Sequence, residues 1–223
     1  MINVAIDGPA GAGKSTISRC AAEKLGYIYV DTGALYRAVG LKFSKTGADI
    51  SSDKDIERVL SGTAVDIRFL GGEQHVFLDG EDVSGLIRTP EASMMASAVS
   101  AKPAVRAFLL DMQRQLAREN NVIMDGRDIG TVVLPNADVK IFLTASVKVR
   151  AERRFRELTE KGESVSFEDV YADIEKRDYN DTHRAAAPLK QAEGACLADT
   201  SDLTLDDSVA LVVKIITERT KKA

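Results

Sequence analysis

Short apolar runs alternate with amphipathic stretches along most of this chain. Val4-Ala5-Ile6 centres a buried strand over residues 3–7, and residues 14–23 read as a helix. A second buried strand spans 27–30 and is closed by Asp31-Thr32-Gly33. Residues 33–45 return to helix, with Leu35, Val39 and Lys42/Phe43 at helical spacing. A shorter helix over 53–60 has Ser51 or Ser52 as its N-cap. The pattern then changes at Gly62. Val65-Asp66-Ile67-Arg68-Phe69 alternates with period two, Gly71-Gly72 turns, and His75-Val76-Phe77-Leu78 resumes extended character. Asp79-Gly80 turns again before Glu81-Asp82-Val83, so residues 62–88 predict a small antiparallel insert. Helices follow over 91–100 and 103–119, the latter with Pro103 near its start. Three further buried strands, 121–125, 139–144 and 195–199, are separated and followed by helices 147–161, 167–184 and 206–221. Apolar strands alternating with helices predict an α/β fold with a five-stranded parallel sheet covered on both faces. With no internal repeat or linker, residues 1–223 read as a single domain.

Composition narrows the partners. The chain is 44% apolar and 29% charged, as expected for a globular protein. Its formal charge of −4 gives no general attraction to nucleic acid or anionic membrane, so phosphate chemistry must use locally concentrated Arg and Lys. Cys20 and Cys196 read as reduced, buried thiols; two Cys and two His without close spacing make no zinc site. The N-terminus has no signal-like apolar region, and the late run 209–216 is broken by Lys214, which points to a cytoplasmic protein without a membrane span.

The run Gly8-Pro9-Ala10-Gly11-Ala12-Gly13-Lys14-Ser15 fits G-x-x-x-x-G-K-[ST], between a strand and a helix. In that setting successive backbone N–H groups converge on phosphates at a helix N-terminus. Lys14 reaches the β/γ-phosphates and Ser15 offers a hydroxyl to Mg²⁺. A phosphate loop alone does not choose among kinase, GTPase, ATPase and nucleotide sensor. The missing N-K-x-D guanine-reading motif argues against a GTPase.

Ligands of a parallel sheet bind beyond the carboxyl ends of its strands. Asp31-Thr32-Gly33-Ala34-Leu35-Tyr36-Arg37, Asp125-Gly126-Arg127-Asp128 and Asp199-Thr200-Ser201-Asp202 fall there. Arg37 and Arg127 suit bidentate recognition of a phosphate monoester, though Arg37 also fits a solvated helix and Arg127 a structural pair with Asp125 or Asp128. Arg150, Arg153 and Arg154 share one helical face, which charge pattern reads as exposed and balanced by Glu152 and Glu157. Arg177, Asp181 and Arg184 form a second stripe, either a surface ion-pair ladder or part of a closing lid hinged at Gly162-Glu163-Ser164.

In this order the pieces resemble the bacterial cytidylate kinases, phosphate-loop nucleoside monophosphate kinases acting on CMP and dCMP. The resemblance runs from Val4 to about Asp199 through IDGPAGAGKST, DTGALYR, LDGEDVSGLIRTPE, DGRDIGTVVLPNADVKIFLTA and KRDYNDTHRAAAPL. It implies a P-loop three-layer fold with a β insert in the monophosphate-binding region and a helical lid near 150–184. It implies ATP-dependent formation of CDP and dCDP with Mg²⁺. Gly8 to Thr16 would hold ATP, with Ser15 or Thr16 serving the metal. Thr32 and Arg37 would bind CMP, and Arg37 and Arg127 would hold its phosphate. Ser97 and Arg106 would read the cytosine edge with Asp128 nearby, and Asp181 would accept from the ribose, supported by Arg184. Lys14, Arg127, Arg153, Arg177 and Arg184 would meet the transferring charge, and residues 200–203 would flank adenine. The chain is expected to act as a monomer. Left open are the preference among CMP, dCMP and UMP, and the carboxylate that supports Mg²⁺. A kinase of a small alcohol such as shikimate, with Asp31 as base, and a silent ATP-binding module are the competing readings.

Overall fold

The computed structural model describes residues 1–221, which form two compact units. The first comprises residues 1–29 and 120 onward. Its strands are β1 (Asn3–Asp7), β2 (Ile28–Asp31, where the chain passes into the second unit), β6 (Val122–Gly126), β7 (Val139–Thr144) and β8 (Cys196–Asp199). They lie in the order β2-β6-β1-β7-β8, with β1 parallel to β6 and β7, and β7 parallel to β8. β1 is central because Val4, Ala5 and Ile6 are apolar on both faces and fully buried. The helices of this unit are α1 (Lys14–Leu25), α6 (Val147–Glu160), α7 (Phe167–His183) and α8 (Leu205–Thr220). α1 and α8 pack together, and Ile17, Ala21, Val209, Val212 and Ile216 join Ile6, Ile123, Ile141 and Leu143 in one core. α6 and α7 form the helical pair expected as the lid.

The second unit covers residues 30–119. Its helices are α2 (Thr32–Thr46), α3 (Asp53–Ser61), α4 (Pro90–Ser100) and α5 (Pro103–Glu119). The predicted insert is present as the antiparallel strands β3 (Val65–Leu70), β4 (Glu73–Leu78) and β5 (Glu81–Asp82). Leu35, Val39 and Phe43 of α2 meet Val76, Leu78, Ile87, Val99 and Leu109 in a separate core. Gly40 lets α2 and α4 approach closely, since a Cβ there would lie 2.9 Å from Met95 Cβ.

Strand and helix limits differ from the sequence expectation by one or two residues, and Ser52 is the N-cap of α3. Three differences have physical content. A π-helical turn, Ile129–Val133, follows β6 where periodicity gives no signal. Arg184 is not part of a helical stripe; α7 ends at His183 and Arg184 is extended (φ −63°, ψ 140°). Cys20 and Cys196 are half-buried rather than buried.

Candidate active site

β1 delivers Asp7 to the phosphate loop, and the first glycine is dictated by crowding. A Cβ at Gly8 would sit 1.9 Å from the Leu143 carbonyl oxygen of β7. Gly11 has φ +73°, and a Cβ there would lie 3.2 Å from both Arg150 Cβ and Ile174 Cδ1. Gly13 begins α1 without a side-chain cap, which leaves the first-turn N–H groups for an anion. Lys14 is buried, and its Nζ donates to the Pro9 carbonyl at 2.7 Å. Burial, aided by the charge of Arg127, lowers its pKa from 10.5 to about 7 against the opposing pull of Asp125, Asp181 and Asp7.

Ser15 is exposed, and its Oγ donates to Asp125 Oδ2 at 3.1 Å. Tyr29 donates to the other oxygen of Asp125. Arg127 Nε bonds Asp181 Oδ2 at 2.6 Å. Burial works against the Arg127 charge, but Asp181, Asp125 and Asp7 outweigh it and hold the guanidinium above its ordinary pKa. Arg184 reaches Asp128 Oδ1 at 3.3 Å and the Ala187 carbonyl at 2.8 Å. Thus Lys14, Ser15, Asp125, Arg127, Asp128, Asp181 and Arg184 assemble within the first unit.

Sequence reasoning passed over Asp7. Its two oxygens accept from the Ile129 and Gly130 amides, both at 2.7 Å, at the start of the π turn. Burial raises its pKa from 3.8 to about 6, although those two amides pull it down. The available signal was a lone acid closing an otherwise apolar strand.

Arg153 donates to the Thr200 carbonyl at 2.7 Å and approaches the Ala12 carbonyl at 3.5 Å; burial lowers its pKa against the pull of Asp199. Gly13, Thr16, Arg153, Arg154, Leu203 and Leu205 line part of a cleft of about 470 Å³ beside the loop, where the adenine-flanking segment was expected. Arg177 pairs with Asp173 one turn back on α7. Arg150 is not on an exposed face with Arg153 and Arg154. It is 3% exposed and bonded to Asp178 of α7. The i, i+3, i+4 spacing aligns these residues but does not say which side of the stripe meets another helix.

In the second unit Thr32 is buried at the start of α2, whose N-cap Asp31 accepts from the Ala34 amide. Arg37 bonds Asp31 at 2.7 Å, while its Nε is buried without a hydrogen-bond partner. The Asp31 carboxylate thus holds both the first turn of α2 and the Arg37 guanidinium. Ser97 is half-buried on α4, and Arg106 of α5 donates to the Ser100 carbonyl and lies 5.7 Å from the Tyr36 ring.

The family model for cytidylate kinase matches residues 4–218. The chain belongs to the cytidylate kinase family. The cytidylate kinase of Caldicellulosiruptor bescii is 52% identical over 214 residues, covering 96% of this chain and 95% of the relative. That of Lactobacillus johnsonii is 48% identical over 221 residues, covering 99% and 96%. A crystallised gluconokinase from Sinorhizobium meliloti, 13% identical, superposes with a TM-score of 0.51 over 99% of this chain and 94% of its own, a likeness of fold alone. As a cytidylate kinase the chain phosphorylates CMP and dCMP, with ATP as donor. Among the described residues, no helix is long and apolar enough to cross a membrane.

Proposed function

We propose that the transfer from ATP to CMP or dCMP is carried by Lys14, Arg127, Arg153, Arg177 and Arg184, with Gly8 to Thr16 holding the donor. The cluster that links Lys14, Asp125, Arg127 and Asp181 carries this reading. The acceptor phosphate is already an anion, so the protein supplies alignment and charge neutralisation rather than a base. Lys14 sits at the loop that would hold the β/γ-phosphates, and Arg127 is pre-aimed by Asp181. Arg153 and Arg177, held on a carbonyl and on Asp173, would exchange those partners for phosphate oxygens.

Mg²⁺ fits beside Ser15 and Asp125, whose hard oxygens already face one another. It would neutralise donor phosphate charge. Asp125 is the carboxylate we assign to its support, and Ser15 is preferred over Thr16, which lines the cleft instead. Thr32 and Arg37 are assigned to CMP, the unpartnered Arg37 Nε supporting an anionic ligand. Ser97 and Arg106, with Asp128, are assigned to the cytosine edge, and Asp181 with Arg184 to the ribose, on the family resemblance. The two units would work as one catalytic domain, monomeric and cytoplasmic, with residues 62–88 as the monophosphate-side insert and 150–184 as the lid.

The deciding experiment is coupled ADP release with ATP against CMP, dCMP, UMP and shikimate for the wild type, Ser97→Ala and Arg106→Met. The reading expects CMP and dCMP turnover to fall in both variants while the KM for ATP holds. Unchanged discrimination between CMP and UMP would remove both residues from the base site.

A further inference from the structure

Arg150 lies at the root of the helical hairpin, where every nitrogen of its buried guanidinium donates a hydrogen bond. It makes four hydrogen bonds: Nε to the Ala145 carbonyl at 2.8 Å, Nη1 to the Ala10 carbonyl at 3.0 Å, and a fork to Asp178 Oδ1 and Oδ2 at 2.9 and 2.6 Å. Ala145 follows β7, Ala10 is in the phosphate loop, and Asp178 is on α7.

The Ala10 bond has a consequence for the loop. In a trans peptide the C=O and the next N–H point in opposite directions, and no peptide among the described residues is cis. Turning the Ala10 carbonyl onto Arg150 therefore turns the Gly11 N–H to the other side. Lys14 draws the Pro9 carbonyl in the same way. The loop also passes close to Arg150 at Gly11, where an added Cβ would lie 3.2 Å from Arg150 Cβ. The hold on Arg150 comes from α7, where Asp181, three residues beyond Asp178, bonds Arg127.

We propose that Arg150 is a positioning residue for the donor phosphates: anchored by Asp178, it orients the Ala10–Gly11 peptide of the phosphate loop. α7 thereby holds the donor loop through Asp178 and the acceptor arginine through Asp181. This rests on the reading of Gly8 to Thr16 as the ATP site. The fork needs a guanidinium, since an ammonium cannot serve two carbonyls and a carboxylate in this geometry.

The test measures kcat and the KM values for ATP and CMP, with thermal unfolding alongside. Replacing a buried ion pair by apolar residues of similar volume often preserves stability. The paired variant Arg150→Met/Asp178→Leu thus separates a positioning role from a structural one. The expected result is a KM for ATP raised about tenfold, the value of one hydrogen bond to a charged ligand, with the CMP KM near wild type. Arg150→Lys and Asp178→Asn are expected to show the same ATP-selective rise, smaller for Asp178→Asn because its Oδ1 still accepts from Arg150. If the paired variant does not fold, these two decide. A wild-type KM for ATP in the folded variants overturns the proposal, as does an equal rise in both KM values. Lys14→Ala separates this from failure of the site itself: if it too leaves ATP use unchanged, the donor-site reading has failed.

Discussion

Asp7→Asn should change how the stability of this protein responds to pH. Asp7 is 3% exposed, and burial raises its pKa from 3.8 to about 6. As pH falls, the folded protein takes up this proton before the unfolded chain does. The residue therefore contributes stability that is fully present below 3.8 and lost as pH rises through about 6. The whole shift corresponds to about 3 kcal/mol, of which about 2 kcal/mol is gained between roughly pH 7.5 and pH 4.5. Asparagine does not titrate, so the variant lacks that gain. It also places an NH₂ group against one of the amides of Ile129 and Gly130, which costs about 1–3 kcal/mol at every pH. Urea unfolding of both proteins across this range, compared as a difference, cancels the groups they share. Asp128, whose charge raises the Asp7 pKa, and Lys14, whose charge lowers it, are the charged side chains that act on Asp7 directly. Stability of the wild type relative to the variant should rise by about 2 kcal/mol as the solution is acidified. A flat difference, or one that falls, would refute the assignment of a buried carboxylate whose charge opposes folding.

Gly8→Ala should destabilise the protein beyond the roughly 1–3 kcal/mol of ordinary overpacking, because the new methyl meets a strand carbonyl rather than a flexible side chain. Urea unfolding checks this, and near-wild-type stability would overturn it. Arg127→Ala should lower turnover of CMP and dCMP by about a thousandfold with far-UV circular dichroism unchanged; retained turnover would remove Arg127 from the reaction. Ser15→Ala should raise the Mg²⁺ concentration needed for half-maximal activity about tenfold, and Thr16→Ala should leave it unmoved. A Mg²⁺ titration at fixed ATP tests the pair, and the opposite ranking would move the metal to Thr16.

Much of the first unit was legible from local pattern. Val4-Ala5-Ile6, the loop to Ser15 and the helix after it constrain one another through chain connectivity alone, so strand, phosphate loop and helix came together. The β insert was equally plain, since Val65 to Phe69 alternates with the period that a half-buried strand requires. The arginines were less legible. Arg150, Arg153 and Arg154 are the same residue type on one helix. Yet one is buried on Asp178, one is held on a Thr200 carbonyl, and one pairs with Glu157 at 2.9 Å. Asp7 stayed silent because its partners are backbone amides more than a hundred residues away.

The order of strands and helices, the phosphate loop with Lys14 and Ser15 and, through motifs spread over nearly the whole chain, the cytidylate kinase family are all legible in the residue order. These rest on periodicity and short spacings, which act between near neighbours in the chain. The tertiary structure alone decided that β1 lies between β6 and β7, and that Asp181 meets Arg127. It decided too that Asp125 meets Ser15, and that Arg150 joins the phosphate loop to α7. Side-chain pairing across long separations depends on which faces the packing brings together, and burial then fixes which charges must find partners there.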